Sequence, residues 1–351
     1  SFGQGALRLG LSLSLAAGLV LLRGRQRPTT ARWQALAVAL VALDLMAFGW
    51  GLAPGAHPAV YRVPVASADF LQAQPWGRIW HVEPYAQEVY DRYVALDAFG
   101  TTEPAYLRTL RESLLPNLTA VHHLPGAGNY DPLVLEGYHE LYALLVALDG
   151  RSRPLEEVGP ILDLFGVRYL LTDGELDLPV LYDAGPRIYL NPTALPRAMI
   201  VHGARILEDA DERLQTLLNT GFDPRKEVIL RHAPSSFPAG TEAAASAEGA
   251  SIMDEEPQKV IVQADLMQDG YLVLLDSDYP GWQVTVNGQP AEILNANHAF
   301  RAVALGPGRH NVAFFYDPVS FRLGAWLSIS TAALASALFA AASLSRKGAI
   351  P

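Results

Sequence analysis

Trp282-Gln283-Val284-Thr285-Val286-Asn287-Gly288 is the stretch on which the fold class turns. A short β-prone run meets Asn-Gly, the pair that most readily takes positive φ at both centres of a two-residue hairpin. Reading outward, five further runs carry the same signature: 259–266, 271–276, 291–295, 300–305 and 311–316. Gly306-Pro307-Gly308-Arg309 marks a second tight connection between the last two. Short strands punctuated by turn residues predict a small antiparallel β-sandwich over 258–318.

Upstream, residues 232–257 are rich in Ala, Ser, Gly, Pro and Glu and lack a sustained apolar period, which reads as a flexible linker. Before it, residues 54–231 mix helices and strands. The run 78–82 is a strand candidate between Pro75 and Pro84, and 138–148 has helical spacing, with Leu141, Leu144 and Leu145 on one face. A helix ends near Phe165, Gly166 stops it, and 167–171 follows as a strand. Runs 180–182 and 187–190 flank a turn at Asp183-Ala184-Gly185-Pro186. This alternation predicts an α/β or α+β domain.

Farther out lie three apolar blocks: 9–22 with an extension over 3–7, 33–52, and 323–344. Each approaches or meets the roughly 20 residues needed to cross a bilayer. The blocks set the outer segments as 1–53, two transmembrane helices with a loop at 23–32, and 319–351, a third helix with a short tail. The loop carries four arginines and no acid, and Ser345-Arg346-Lys347 follows the last block. Short basic segments stay cytoplasmic, so the chain is expected to be multi-pass with its large middle extracytoplasmic, facing the periplasm or cell exterior. Asp44 falls within the second block, where an ionisable group is a functional candidate or a polar contact to another helix. The chain opens Ser1-Phe2-Gly3 without an initiator Met and reads as the C-terminal portion of a longer protein.

Half of the 351 residues are hydrophobic and 18% are charged. The formal net charge of −10 argues against a nucleic-acid partner, which needs a basic stripe. The absence of cysteine excludes disulfides, zinc thiolates and thiol nucleophiles. No phosphate-cradling glycine loop, HExxH or GxSxG occurs. His122-His123 lacks an acidic partner at ligand spacing, so no metal site is read and no cofactor is evident.

Two loop clusters carry candidate binding chemistry. Tyr130 and Asp131 lie in Gly126-Ala127-Gly128-Asn129-Tyr130-Asp131-Pro132-Leu133, which serves equally as a turn and N-cap. Asp278, Tyr279 and Trp282 lie on one sandwich connection and Asn297, His298 and Arg301 on a later one. Loops at one end of a sandwich can share a surface. There the rings would stack on a sugar and the polar groups take its hydroxyls. Trp282 reads equally as filler of the sandwich core.

The run from Tyr271 to Tyr279-Pro280-Gly281-Trp282, then Val286-Asn287-Gly288, Asn297-His298-Ala299-Phe300-Arg301-Ala302-Val303 and Pro307-Gly308-Arg309-His310, resembles the bacterial YfhO family. Leu162 to Leu170, Asn191-Pro192 with Leu195-Pro196-Arg197-Ala198, and Gly128 to Leu133 resemble it more loosely. The resemblance implies a polytopic membrane protein similar to GT-C glycosyltransferases. Such a protein moves a sugar from a polyprenyl-phosphate donor to a cell-envelope glycan acceptor. It also implies a catalytic carboxylate in an early outward loop upstream, so no catalytic residue is assigned, the chain alone is expected to be inactive, and metal dependence stays open. The alternative is a non-catalytic, bilayer-anchored module that binds envelope glycan or protein.

Overall fold

The computed structural model describes residues 30–49, 62–82, 110–128, 133–149, 155–219, 221–242 and 247–347. The apolar block at 9–22, most of the basic loop at 23–32, and Tyr130 and Asp131 lie outside these residues. Contacts divide the chain into two units: Ser1–Val65 with Glu88–Ser113, and Ala66–Gln87 with Leu114–Pro351.

In the first unit, helix α1 spans Thr30–Gly49. It carries the shorter apolar stretch Trp33–Met46, and Asp44 is exposed upon it. Near the second stretch of this unit, the Arg111 guanidinium donates to the Val63 carbonyl at 2.9 Å.

Among the described residues, the second unit holds fifteen strands in three sheets. The smallest sheet runs β1 (Arg78–His81), β2 (Val167–Thr172), β4 (Arg187–Leu190), β3 (Val180–Tyr182), parallel at β1/β2 and antiparallel elsewhere. Around it lie α2 (Ala66–Gln72), α3 (Leu118–Val121), α4 (Glu136–Asp149) and α5 (Leu155–Leu164). Helix α5 ends where Gly166 leads into β2, as the sequence predicts.

The central sheet has the order β5 (Ala198–Val201), β10 (Gly270–Ser277), β14 (Phe300–Leu305), β13 (Leu294–Ala296), β7 (Glu227–Leu230), β6 (Gly203–Ile206). Its middle strands are apolar without alternation because both faces are covered. Leu272, Leu274, Val303 and Leu305 face one core, whereas Tyr271, Val273, Leu275, Ala302 and Ala304 face the other. That second core is closed by Leu141 and Leu145 of α4 and Ile161, Leu162 and Leu164 of α5. Each such buried side chain contributes roughly 1.5–3 kcal/mol relative to exposure.

The outer sheet is wholly antiparallel: β12 (Gln289–Ala291), β11 (Trp282–Val286), β15 (Gly308–Tyr316), β9 (Lys259–Leu266), β8 (Gly249–Glu256). Asn287 and Gly288 turn β11 into β12 with φ of 52° and 78°, the hairpin the sequence specified. Val284, Val286, Val260, Val262, Val312 and Phe314 pack from this sheet onto the central one, completing the sandwich. Residues 291–295 do not form one strand. They divide between the end of β12 and the start of β13, so the chain crosses from one sheet to the other there.

Two expectations are corrected. The sandwich does not begin at 258, because β5, β6 and β7 from the upstream region complete its central sheet. Nor do the described residues within 232–257 form a flexible linker. Strand β8 occupies 249–256 and pairs with β9, packing the partly buried Ala250 and Ile252 against the core. Gly306 donates to the Pro238 carbonyl at 2.7 Å and Gly240 to the Pro307 carbonyl at 2.9 Å, pinning the preceding residues along the β14–β15 turn. Small residues permit this close backbone approach, so composition alone misleads.

Helix α6 is Ala210–Leu217, capped by the Asp209 side chain, which accepts from the Glu212 amide. After β15 the chain enters α7, Val319–Lys347. Val319–Phe339 is the one helical stretch among the described residues long and apolar enough to cross a membrane. Phe321, Trp326, Leu334 and Leu338 are exposed along it, and no described residue of this unit covers that apolar surface.

Candidate functional site

The β10–β11 connection and the β13–β14 connection do share a surface. Together with the first turns of α4 they form a cleft of about 730 Å³ that includes Glu140, Arg231, Asp278, Tyr279, Trp282 and His298. Asp278 is held by backbone and side chain together. Its amide donates to the Ala299 carbonyl at 2.8 Å, and its carboxylate accepts from the Asn295 amide at 3.1 Å. Burial raises the Asp278 carboxyl above its ordinary range, against the lowering pull of Asn295 and Arg301.

His298 is buried and lies at φ 73°, next to Asn297 at φ 46°. Consecutive left-handed residues without glycine are costly and persist where the surroundings fix them. Here Asn297 pairs with β7: its amide donates to the Ile229 carbonyl at 2.8 Å and its side-chain oxygen accepts from the Ile229 amide at 3.0 Å. His298 Nε2 lies 2.5 Å from Glu140 Oε2 and its Nδ1 lies 3.4 Å from Arg213 Nε. An arginine only donates, so Nδ1 accepts and the ring proton sits on Nε2, facing the carboxylate. With both ring nitrogens engaged, His298 positions the loop. Glu140, more than a third exposed, keeps a carboxylate edge open to the cleft. Arg213 is anchored in turn on the Leu207 and Glu208 carbonyls.

Tyr279, Trp282 and Tyr316 form an aromatic group, with ring centroids 5.3 to 6.2 Å apart. Trp282 is half-buried: it packs against the sandwich core and also lines the cleft. Its other contact is Arg301, whose guanidinium carbon lies 3.8 Å from the ring centroid.

Arg301 belongs to a neighbouring ion cluster. Asp276 accepts from Arg197 through both oxygens, at 3.0 and 2.9 Å, and lies 3.3 Å from Arg78 and 3.4 Å from Arg301. The register of β10 against β14 shifts between Leu274 and Ser277, and that irregularity sets Asp276 among these guanidiniums. Burial acts to raise the Asp276 carboxyl, but Arg197, Arg78 and Arg301 together hold it below its ordinary range. Arg197 also reaches Glu255 of β8 at 2.6 Å, so two carboxylates and three arginines tie β1, β8, β10, β14 and the residue before β5 together.

Of the sequence candidates, Asp278, Tyr279, Trp282 and His298 line the cleft. Asn297 and Arg301 are buried and support it, which corrects their reading as sugar-contacting residues. Glu140, Arg213, Arg231, Arg78 and Arg197 were not anticipated. Glu140 is 158 residues from His298 and Arg78 is 198 from Asp276, beyond any motif spacing. Among the described residues no cluster of His, Asp or Glu is arranged to hold a metal ion.

These elements define a class: a β-rich unit with an aromatic and carboxylate-lined cleft, continuing directly into a helix of membrane-crossing length. Residues 243–328 match the family model described as "Bacterial membrane protein YfhO". The resemblance drawn from the Tyr279–Trp282 segment therefore holds over the segment that contains both connections of the cleft and the start of α7. No curated protein and no solved structure matches the chain.

Proposed function

We propose that the chain is the C-terminal part of a polytopic bacterial membrane protein of glycosyltransferase type. In this reading 9–22, α1 and α7 cross the inner membrane, and the β-rich unit stands on the extracytoplasmic side. Its cleft receives part of a cell-envelope glycan, and a polyprenyl-phosphate sugar is the donor for the whole protein. The observation that carries the sugar-binding assignment is the joining of Tyr279 and Trp282 to Asp278, Glu140 and Arg231 around one open cleft. Rings of this kind cover the apolar face of a pyranose, while carboxylates and guanidinium groups take its hydroxyls. The donor chemistry rests on the family alone.

The full chain in nanodiscs, titrated against an array of bacterial envelope oligosaccharides, tests the cleft. Saturable binding that falls at least tenfold in Asp278→Asn combined with Glu140→Gln is expected. Unchanged binding in that variant would remove the cleft from the assignment. A periplasm-dependent reporter fused after Gly150 should be active and one fused after Gln26 inactive, and the reverse pattern would overturn the orientation.

A second reading, a non-catalytic glycan-binding module, is favoured by the engagement of both His298 ring nitrogens, which leaves the ring as a positioning group. Membranes carrying the full-length protein distinguish the two. Transfer from a polyprenyl-phosphate sugar supports the enzyme, and binding without transfer supports the module.

A further inference from the structure

Trp76, Arg168, Leu195, Arg197, Ala250 and Ile252 line a second pocket, of about 460 Å³. It shares no lining residue with the sugar cleft, and the charged residues that line it are two arginines. Their states differ. Arg197 is matched by Asp276 and Glu255. Arg168 has no such match: its Nε is buried without a hydrogen-bond partner, and it pairs with no carboxylate among the described residues. Its side chain hydrogen-bonds the Tyr169 phenol, whose pKa burial raises against the lowering pull of Arg168, so that bond supplies no opposite charge.

The head group is held at the pocket by the fold. The aliphatic stem of Arg168 lies across Gly77, where a Cβ would fall 2.2 Å from Arg168 Cβ and 2.8 Å from its Cδ. Only glycine leaves room for that stem. The Trp76 ring is fixed in the pocket wall between the Arg78 and Arg197 guanidiniums, 5.4 and 5.6 Å from its centroid. A guanidinium without a counter-charge, with a buried Nε left unpartnered beside an apolar pocket, has the capacity to meet an anionic ligand there.

We propose that this pocket binds an anionic group, phosphate or carboxylate, carried on a small apolar body. The Arg168 guanidinium takes the anion, and Trp76, Leu195, Ala250 and Ile252 take the body. The proposal is independent of the sugar cleft and survives its failure.

Calorimetric titration of the full chain in phosphatidylcholine nanodiscs tests it, with phenyl phosphate, benzoate and inorganic phosphate as probes. Saturable binding of phenyl phosphate or benzoate is expected, with inorganic phosphate weaker because it lacks the apolar body. Arg168→Gln, which keeps much of the stem, should weaken binding at least tenfold, and Arg168→Lys should fall between. Ala194→Trp, which fills the pocket from its rim, should abolish binding even if the Arg168 variants fold poorly. Absence of saturable binding by either aromatic anion, or equal affinity in Arg168→Gln, would overturn the proposal, as would equal binding of inorganic phosphate. Phosphatidylglycerol nanodiscs separate the sources: competition with phenyl phosphate supports a lipid headgroup, and its absence supports a soluble ligand.

Discussion

The ion cluster around Asp276 and the cleft around Asp278 share Tyr279 and Trp282 in their walls, yet they treat a carboxylate in opposite ways. Asp276 is surrounded by three guanidiniums, and its carboxyl is held down despite burial. Asp278, two residues on, has one amide partner, and burial pushes its carboxyl up. One group is consumed by architecture, while the other keeps capacity to meet a ligand. The same short run therefore supplies a clamp and a site, and which residue does which follows from the partners that distant strands deliver.

Breaking the clamp should have the largest effect. Asp276→Ala leaves Arg197 and Arg301 partly buried without their shared counterion, a change that typically costs about 3–5 kcal/mol. Chemical unfolding of the full chain in detergent measures it, and a loss below about 1 kcal/mol would show that the cluster contributes little. Removal of the shared wall comes next. Trp282→Ala deletes a half-buried ring that packs on the sandwich core and stacks on Arg301, so a loss of about 2–4 kcal/mol is expected. Weakened glycan binding with an unchanged melting temperature would instead make Trp282 a surface platform, and would erase the distinction between wall and core.

The sequence discloses what is local. Strands β9, β11 and β14 fall at their expected positions because each is a β-prone run closed by turn residues, and the Asn287-Gly288 hairpin is encoded in two adjacent positions. Strand β8 was hidden because Ala250 and Ile252 alternate within an Ala, Ser and Glu composition that resembles a linker. The joining of β5, β6 and β7 to the sandwich was hidden for another reason: strand pairing such as Val273 with Met199 leaves no trace in either local pattern. The candidate site divides likewise. Asp278, Tyr279, Trp282 and His298 were legible as loop residues with binding chemistry. The burial of Arg301 and Asn297 was not legible, since it depends on Asp276, Trp282 and Ile229 reaching them from other strands.

The smallest expected effect is also the sharpest test of the comparison, because its sign differs between the two carboxylates. The Asp276 carboxyl is lowered in the folded chain, so the unfolded state binds more protons as pH falls. Its stabilisation is present above the ordinary carboxylate range and is lost as pH drops through the lowered folded value. The Asp278 carboxyl is raised, so the folded state holds the proton more tightly. Its contribution therefore improves as pH falls from above its raised folded value toward the ordinary one, and at neutral pH it is a small cost. Asp278→Asn removes that cost while its amide can still meet Asn295, so stability at pH 7 should change by no more than about 0.5 kcal/mol, toward greater stability. The advantage of the variant over the parent should shrink as pH is lowered through the window between the raised and ordinary values. Melting curves of both chains across that range measure the difference. An advantage that grows as pH falls would mean that Asp278, like Asp276, is clamped by positive charge, and the cleft would then be a second structural cluster.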